Sequence, residues 1–547
     1  MPNMVFRRNT DIGAADAESD DFFLADCFVD TGDVDALTDC SNPKALILGR
    51  TGAGKTALIK QFLKKQKDNS VELSPEKLAL NYVTNSNILQ FFETAGVNLD
   101  IFYTLLWRHI LTVELLRLRY DIRNEIKQQN FVAQILSRFT LDKGKQRAFQ
   151  YLQEWGDKFW QETEYRTKEF TRKLETDLKA AAKIGMSHAN LGAEGARKLT
   201  EEEKYEIREA GNRIVNEVQV RELHNVISIL SEDVFNSEKN KYYIVIDRLD
   251  EGWVDDRIRF KLIKSLIEAI KTFHKVRNVK IMIALRIDIL SRVLRETPSA
   301  GFQEEKYRSL YLHIRWTRSQ LENLLAKRVA FLFKRKYTRD NVTLGDIIPN
   351  IQINKRTAIT YMLDRTFSRP REAILFVNQC ISLAEGSSKI TAQIIRKAEV
   401  SYSQQRLHSL FDEWRREYPN LDAAVEILRA SRTKVELRNL NTDACDKSAE
   451  ELTKANRSDD ALRRSAQRLY LDQSYERINF LSEVIMILYQ VGAVGIQLAP
   501  HSERSWSFEV TNLPLATKLK PESEVSIHKT FWSALGVIHR EKGDDVD

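Results

Sequence analysis

The chain has 547 residues, of which 43% are hydrophobic and 29% charged, and its 84 Lys and Arg residues against 77 Asp and Glu residues give a net charge of +7. This length and composition predict about three globular domains. The longest apolar runs fall short of the roughly 18 residues that a membrane-spanning helix needs, and no signal peptide opens the chain, so we expect a cytoplasmic protein without a membrane role.

Charge is unevenly distributed along the chain. Residues 9 to 43 contain ten acids and no Lys or Arg, so residues 1–40 form an acidic N-terminal segment and the remainder is basic. A basic remainder permits contact with nucleic acid. A net charge of this size is equally ordinary for a solvated surface, so both interpretations stay open.

The most specific motif is a glycine-rich loop between a short apolar run and an amphipathic segment. The run Lys44–Leu48 predicts a buried strand, and Ala57–Leu63 predicts a helix. The loop between them matches G-x-x-x-x-G-K-[ST], the P-loop, whose backbone N–H groups surround phosphate at a helix N-terminus. We therefore expect ATP binding, with Lys55 on the β- and γ-phosphates and Thr56 on Mg²⁺. The predicted nucleotide contacts from the loop are Gly49, Arg50, Thr51, Gly52, Ala53, Gly54, Lys55, Thr56 and Ala57.

A long charged segment separates this loop from the next candidate strand. Residues 108–225 are rich in Glu, Lys, Arg, Gln and Leu, and no proline occurs between Pro75 and Pro298. This composition predicts a helical insertion between the core segments 41–107 and 226–315. The insertion is either a peripheral bundle packed on the core or an arm that contacts a partner subunit or DNA.

A second apolar strand ends in a carboxylate. Tyr242–Ile246 precedes Asp247, which we predict to be a magnesium ligand. Asp250 and Glu251 follow within four residues, and either one would orient or deprotonate the attacking water. The alternative is a surface turn after an ordinary strand.

A third strand ends in a cation. Asn278–Leu285 runs directly into Arg286, and a charged residue at the end of a strand beside the magnesium strand lies near the γ-phosphate in many ATPases of this kind. Arg286 is therefore a candidate nucleotide sensor. The alternative is a structural ion pair with Asp288 or Asp250.

A helical lid is predicted over residues 316–435. Thr317–Gln320 has the capping-box pattern T-x-x-Q, and leucines then recur at helical spacing. Pro370 fits the first turn of a later helix, and the adjacent Arg371 is expected to lean over the nucleotide, so we include both in the binding set. The alternative for Arg371 is an ordinary helix N-terminus without a ligand.

Residues 436–547 predict a linker followed by a winged-helix-like domain. A helix followed by a two-stranded wing is the order of elements in that fold. The wing carries few base-reading side chains, which favours protein packing over DNA binding. The predicted parts are a polar linker or exposed helix at 436–468, a helix at Asn479–Tyr489, a strand at Val491–Leu498, a hairpin partner at Trp506–Val510 and a closing segment at Ile527–Leu535.

Several sequence motifs of the chain resemble those of known protein families. The string from Asp247 to Glu251 resembles the D-G-x-D-E form of NACHT-type STAND ATPases, and Arg369-Pro370-Arg371 resembles the G-x-P-R of STAND and origin-recognition-type AAA+ proteins. The resemblance is closest to the bacterial FunZ-like P-loop ATPases and covers residues 20 to 435. It rests on L-R-x-D-I at Leu285–Ile289, on Trp316 with Leu321, and on A-x-x-x-Y-S at Ala398–Ser403.

The resemblance implies an α/β P-loop NTPase core with a parallel sheet of the STAND and AAA+ type. The sequence departs from the motifs of these families at Arg248, where a small or acidic residue is usual, and at Ser368, where glycine is usual. The first departure leaves open whether Asp250 or Glu251 is the catalytic base.

Three functions stay open from the sequence. The first, implied by the resemblance, is an ATP-hydrolysing switch in bacterial anti-phage defence, whose nucleotide state controls self-assembly or a separate effector protein such as a nuclease. The second is a DNA-acting ATPase of the origin-recognition or loader type. The third is a nucleotide-bound scaffold that does not hydrolyse ATP.

Overall fold

The computed structural model describes residues 5–75, 93–94, 96, 98–119, 230–235, 237, 240–254, 256–297, 304–336, 342–509 and 518–539, together with positions 200, 201, 204, 205 and 208. Most of the predicted insertion, and with it the choice between a bundle and an arm, lies outside the described residues. The chain divides into two compact units. One comprises residues 30–50 and 55–314, and the other residues 1–29, 51–54 and 315–547.

From the first strand onward, the described elements before residue 315 alternate between strand and helix. The described strands are β1 (Leu46–Leu48), β2 (Ser70–Leu73), β3 (Tyr242–Ile246), β4 (Val279–Leu285) and β5 (Tyr311–His313). The helices are α1 (Asp21–Cys27), α2 (Asp33–Thr38), α3 (Lys55–Lys65), α4 (Asp100–Arg119), α5 (Asp256–Phe273) and α6 (Ile287–Glu296), with a π-helical turn at Leu230–Val234 and a 3₁₀ turn at Glu304–Leu310.

The elements after residue 315 are mainly helical. The helices are α7 (Arg318–Lys336), α8 (Leu344–Ile347), α9 (Ala358–Leu363), α10 (Pro370–Leu383), α11 (Ala392–Trp414), α12 (Leu421–Val425), α13 (Thr442–Thr453), α14 (Ala461–Leu471), α15 (Arg477–Val491) and α16 (Trp532–Leu535). The strands are β6 (Gln352–Ile353), β7 (Arg356–Thr357), β8 (Lys434–Glu436), β9 (Val494–Gln497) and β10 (Glu524–Ile527), and 3₁₀ turns lie at Glu426–Leu428, Leu437–Asn439 and Lys529–Phe531.

A parallel sheet organises the unit of residues 30–50 and 55–314. Its strand order is β2-β3-β4-β1-β5, and every neighbouring pair is parallel. The three strands predicted from the sequence are confirmed as β1, β3 and β4, and β4 lies between the other two. All residues of these three strands are buried, as expected of a sheet covered by helices on both faces. The chain therefore has an α/β core, and the segments after β1, β3 and β4 leave the sheet at one edge.

Helix α4 packs against α5 in the same unit. The buried indole N–H of Trp107 donates to the carbonyl of Leu262 at 2.8 Å, and Lys264 pairs with Asp100 at 2.8 Å. The helix continues without a break across the boundary predicted between residues 107 and 108, because its apolar side chains stay buried as far as Leu118.

The acidic segment of the other unit is anchored to helix α7. Arg328 donates to the carbonyl of Ile12 at 2.9 Å and forms a buried ion pair with Asp20. The side chain of Asn378 accepts a hydrogen bond from the Ile12 N–H and donates one to the carbonyl of Gly13. Residues up to 29 therefore belong with the C-terminal unit, and residues 30–40 belong with the sheet.

The predicted capping box at the start of α7 is confirmed. The Thr317 N–H donates to Oε1 of Gln320 at 2.8 Å, and the Gln320 N–H donates to Oγ1 of Thr317 at 3.3 Å. Pro370 occupies the first turn of α10, as its position predicted. Tyr402 stacks on Phe376 with ring centroids 4.3 Å apart, which gives the tyrosine of the A-x-x-x-Y-S string a structural role.

The structure differs in two respects from the expectations for residues 436–547. The polar stretch 436–468, predicted as a linker or an exposed helix, is largely helical in α13 and the start of α14, but these helices have buried faces that include Leu452 and Leu462. Strand β9 pairs with β10, whereas the segment predicted as its hairpin partner is joined to β9 by an isolated bridge between Ser505 and Ile496, and residues 507–509 form a turn. Strand β8 completes an antiparallel sheet in the order β8-β10-β9.

Candidate nucleotide-binding site

Lys55 begins α3 immediately after the glycine loop. Its Nζ donates to the carbonyls of Gly49 at 3.0 Å and Arg50 at 3.2 Å, so the start of the loop is closed around its own lysine. The Gly49 N–H donates to the carbonyl of Leu285 at 3.3 Å, which ties the loop to the end of β4. Thr56 and Ala57 follow Lys55 in the first turn of the helix.

Lys55 shares one electrostatic neighbourhood with the ends of β3 and β4. Burial lowers the pKa of its ammonium group, the charge of Arg286 lowers it further, and the charges of Asp250 and Asp247 oppose that shift. Burial raises the pKa of Asp247 to about 6, while the Arg248 N–H, donated to it at 2.8 Å, counteracts the rise. Asp250 raises the Asp247 pKa and Lys55 lowers it. The structure thus brings Lys55, Asp247, Asp250 and Arg286 together.

The turn after Asp247 is held by a residue that the sequence did not single out. Arg259 is buried on α5 and donates to the carbonyls of Asp250 at 3.3 Å and Glu251 at 2.9 Å. Arg248 has a φ of 64°, a left-handed conformation that a non-glycine residue rarely adopts. The Glu251 carboxylate is about half exposed and lies 3.9 Å from the Arg248 guanidinium. Asp250 is therefore the more sheltered of the two candidate bases.

Arg286 forms the ion pair that was the structural alternative to a sensor. It donates to both carboxylate oxygens of Asp288, at 3.1 and 2.8 Å, at the start of α6. Its role as a sensor stays a prediction. An Arg two residues before an acid at a helix start is the pattern that signals such a pair.

The tip of the loop, residues 51–54, has contacts of another kind within the C-terminal unit. Arg369 donates to the carbonyl of Thr51 at 3.0 Å, and the Trp316 indole N–H donates to the carbonyl of Ala53 at 2.8 Å. The Arg371 backbone N–H lies 3.5 Å from the carbonyl of Gly52. Three successive carbonyls of the loop therefore each accept a hydrogen bond from residues of the predicted lid.

Gly52 is required by both conformation and space. Its φ is +76°, and a Cβ at this position would lie 2.8 Å from Cβ of Arg371. The Arg371 side chain donates from Nε to the carbonyl of Ala15 at 3.3 Å. Arg369, which was not among the predicted site residues, is buried and pairs with Glu413 at 3.4 Å. Its place beside Pro370 was the one available signal.

The donor groups fit Mg²⁺ and a triphosphate. A threonine hydroxyl at the start of α3 and a buried carboxylate are oxygen ligands of the kind that hold Mg²⁺ together with phosphates. The Lys55 ammonium donates to two neutral backbone carbonyls, and phosphate oxygens would replace them with charged acceptors. The hydroxyl of Thr51 is buried without a hydrogen-bond partner.

This parallel sheet and loop define the α/β P-loop class of fold. A family model described as the FunZ-associated C-terminal helical domain matches residues 319–411, which run from α7 into α11. The chain is also similar to the Walker-type ATPase PABY2304 of Pyrococcus abyssi, with 12% identity over 90% of this chain and 95% of that one and a TM-score of 0.33. No curated protein sequence matches the chain. None of the helices in the described part of the chain has both the length and the apolar character needed to cross a bilayer.

Proposed function

We propose that this protein binds ATP with Mg²⁺, hydrolyses it, and uses its nucleotide state to control self-assembly or a separate effector protein. The observation that carries nucleotide binding is the cluster of Lys55, Asp247 and Asp250 at one edge of a parallel sheet. Lys55 would hold the β- and γ-phosphates, and Asp247 and Thr56 would hold Mg²⁺. Asp250 or Glu251 would position the attacking water.

The switch part of the proposal rests on the loop tip. The carbonyls of Thr51, Gly52 and Ala53 accept hydrogen bonds from residues in the segment 316–371. Backbone N–H groups of a phosphate-binding loop point at the phosphate, so any reorientation of these peptide groups on binding would also move the carbonyls that make these contacts. Arg371 and Arg286 would then distinguish the triphosphate from the diphosphate. The division into a core, an insertion at 108–225, a lid at 316–435 and a winged-helix-like domain within 436–547 is part of the same proposal.

Two other functions would give different results in these experiments. A DNA-acting ATPase would show turnover stimulated by DNA, and a scaffold would bind ATP without turnover. The proposed role in anti-phage defence rests on the resemblance to FunZ-like proteins, and a neighbouring gene for a nuclease or toxin would support it.

The test of binding is calorimetry on Lys55→Ala. We expect tight ATP binding by the wild-type chain and its loss in the variant, because a direct charged contact to phosphate is removed. The exposed Lys65→Ala is a matched control. Equal affinity in wild type and Lys55→Ala contradicts the proposal.

The test of the switch uses a variant that holds ATP. Glu251→Gln is expected to bind ATP and to slow turnover by about 10²-fold or more. Normal turnover in this variant and loss in Asp250→Asn would move the base to Asp250. Mass photometry of Glu251→Gln should show an ATP-dependent assembly that Arg371→Ala abolishes. Identical mass in the apo, ADP and ATP states, with turnover stimulated by DNA, would favour the DNA-acting alternative.

A further inference from the structure

A polar cavity, separate from the P-loop, lies within the C-terminal unit, between α7, α9 and the β8-β10-β9 sheet. Its volume is about 290 Å³. It is lined by five cationic side chains and only two carboxylates. Small-molecule sites commonly have volumes of roughly 300–1,000 Å³, so this cavity has room for one compact ligand.

One wall of the cavity gathers positive charge around a single acid. Arg318 donates to Asp364 at 2.6 Å, Lys529 lies 3.4 Å from the same carboxylate, and Arg356 forms a third ion pair with it. Three cations on one carboxylate leave a surplus of positive charge at this wall, and Lys434 also lines the cavity. An anion of one or two charges complements the wall.

A second wall is aromatic. The rings of Trp506 and Phe508 are stacked with centroids 5.6 Å apart, and the ring of His528 meets the Trp506 indole edge-on at 5.0 Å. Gly495 fixes the indole, since a Cβ there would lie 2.8 Å from a carbon of the Trp506 ring. A rigid, half-buried aromatic surface offers a face on which a planar ring can stack.

An unsatisfied hydroxyl lines the same cavity. Ser526 is 4% exposed, and its Oγ has no hydrogen-bond partner. A buried hydroxyl without a partner costs free energy, and a polar ligand atom would satisfy it.

We propose that this cavity is a second ligand site, which takes a nucleoside phosphate with its base against Trp506 and Phe508 and its phosphate against Arg318, Arg356 and Lys529. The phosphate and base are supplied either by a free mononucleotide or by the end of a single-stranded nucleic acid. Ser368 lines the cavity, and the next residue, Arg369, donates to the carbonyl of Thr51 in the P-loop. Occupancy of the cavity would therefore bear directly on the segment that contacts the loop.

The experiment uses the full chain with Lys55→Ala, so that the P-loop does not bind the probe. AMP, GMP and short single-stranded oligonucleotides are titrated by calorimetry and tryptophan fluorescence. We expect binding by at least one of these probes, weakened about tenfold or more by Trp506→Ala or Arg356→Ala, since base stacking and a charged phosphate contact are each lost. Trp506→Phe should retain most of the affinity of the parent protein. Added salt should lower the affinity of the parent for the probe.

The controls distinguish a free nucleotide from the end of a nucleic-acid strand, and the loss of a ligand contact from misfolding of the variant. The exposed Arg415→Ala, which lies outside the cavity, should bind as the parent does. Binding of mononucleotides assigns the site to free nucleotides, and binding of oligonucleotides alone assigns it to a strand end. If Trp506→Ala fails to fold by circular dichroism, Trp506→Phe and Arg356→Ala decide. The proposal is overturned if no probe binds up to about 1 mM, if inorganic phosphate binds equally well, or if the cavity variants bind as the parent does.

Discussion

The P-loop of this protein is held in two chemically different ways along its eight residues. At Lys55, besides hydrogen bonds to two carbonyls of the loop, the charges of Asp247, Asp250 and Arg286 act on the ammonium group and shift its pKa. At residues 51–54 neutral carbonyls accept hydrogen bonds from Arg369, Trp316 and the backbone of Arg371. The first arrangement is suited to holding phosphate and Mg²⁺, and the second to sensing the conformation of the loop.

This difference also separates the energies involved. Contacts between charged groups and a desolvated phosphate are the stronger class of hydrogen bond, whereas the neutral bond from Trp316 to Ala53 contributes only about 0.5–1.5 kcal/mol. The bond from the Arg369 guanidinium to Thr51 has one charged partner and is intermediate. Substitutions in the charged part should therefore abolish function, and substitutions around the loop tip should adjust it.

The largest effect is expected at Asp247. Asp247→Ala removes the carboxylate from the predicted magnesium site, so we expect the affinity for Mg·ATP to fall about tenfold or more and turnover to fall about 10²-fold. Calorimetry at high and low Mg²⁺ with a phosphate-release assay measures both. The exposed Asp35→Ala is the control. An Mg²⁺ dependence equal to that of the wild type would remove Asp247 from the metal site.

The charged part of the site was largely predictable from the sequence, because its residues follow buried strands in recognisable patterns. The apolar runs ending at Leu48, Ile246 and Leu285 were recovered as β1, β3 and β4, and the capping box located the start of α7. Charged residues directly after such strands stand out because a buried parallel strand is otherwise apolar.

The contacts of the loop tip were not predictable. Any residue has a carbonyl, so an acceptor such as Ala53 leaves no pattern in the sequence, and its donor Trp316 is 263 residues away. The same limit applies to the C-terminal sheet. β10 is four residues long and separated from β9 by 26 residues, so no turn signal fixes their pairing.

A cation elsewhere in the same sheet tests whether buried charge there is always tied to ligand binding. Lys280 is the second residue of β4, and its Nζ donates to the carbonyls of Ala36 at 2.7 Å and Asp39 at 2.8 Å. Burial lowers its pKa to about 8. The unfolded chain keeps this proton up to about pH 10.5 and the folded chain releases it above about 8, so the unfolded state binds more protons between these values.

The free energy of unfolding should therefore rise with pH across this window, by on the order of 1–3 kcal/mol. Urea denaturation at a series of pH values from about 7.5 to 10 measures it, and Lys280→Met should lack this rise. ATP affinity at neutral pH should change little in the variant. A flat profile in the wild type would show that the Lys280 proton is held as tightly in the folded state as in the unfolded one.

A smaller effect is expected at the loop tip. Trp316→Phe keeps an aromatic ring, although a smaller one, but removes the N–H donor to Ala53, so we expect ATP affinity to fall about 2- to 10-fold, the equivalent of one neutral hydrogen bond. Trp107→Phe is a matched control, because its indole N–H also donates to a carbonyl, that of Leu262 at 2.8 Å. The control should lose stability and retain ATP affinity. Equal ATP affinities in Trp316→Phe and wild type would mean that the Ala53 contact does not prepare the loop for nucleotide.

The smallest effect concerns Ser368, one of the two departures from the family pattern. Ser368 has a φ of 53°, so the serine adopts the left-handed conformation that glycine adopts without strain. Ser368→Gly should raise the free energy of unfolding by about 0.5–1 kcal/mol, since removal of the strain outweighs the added entropy of the unfolded chain. Ser458→Gly, at an exposed serine that is not in the left-handed region, should lower it. Urea denaturation of both variants gives the two signs, and equal signs would contradict the strain argument. Arg369 follows Ser368 and donates to the carbonyl of Thr51. A change in the ATP affinity of Ser368→Gly would therefore show that the strained serine helps to position Arg369. An unchanged affinity would show that Ser368 affects only the stability of the fold.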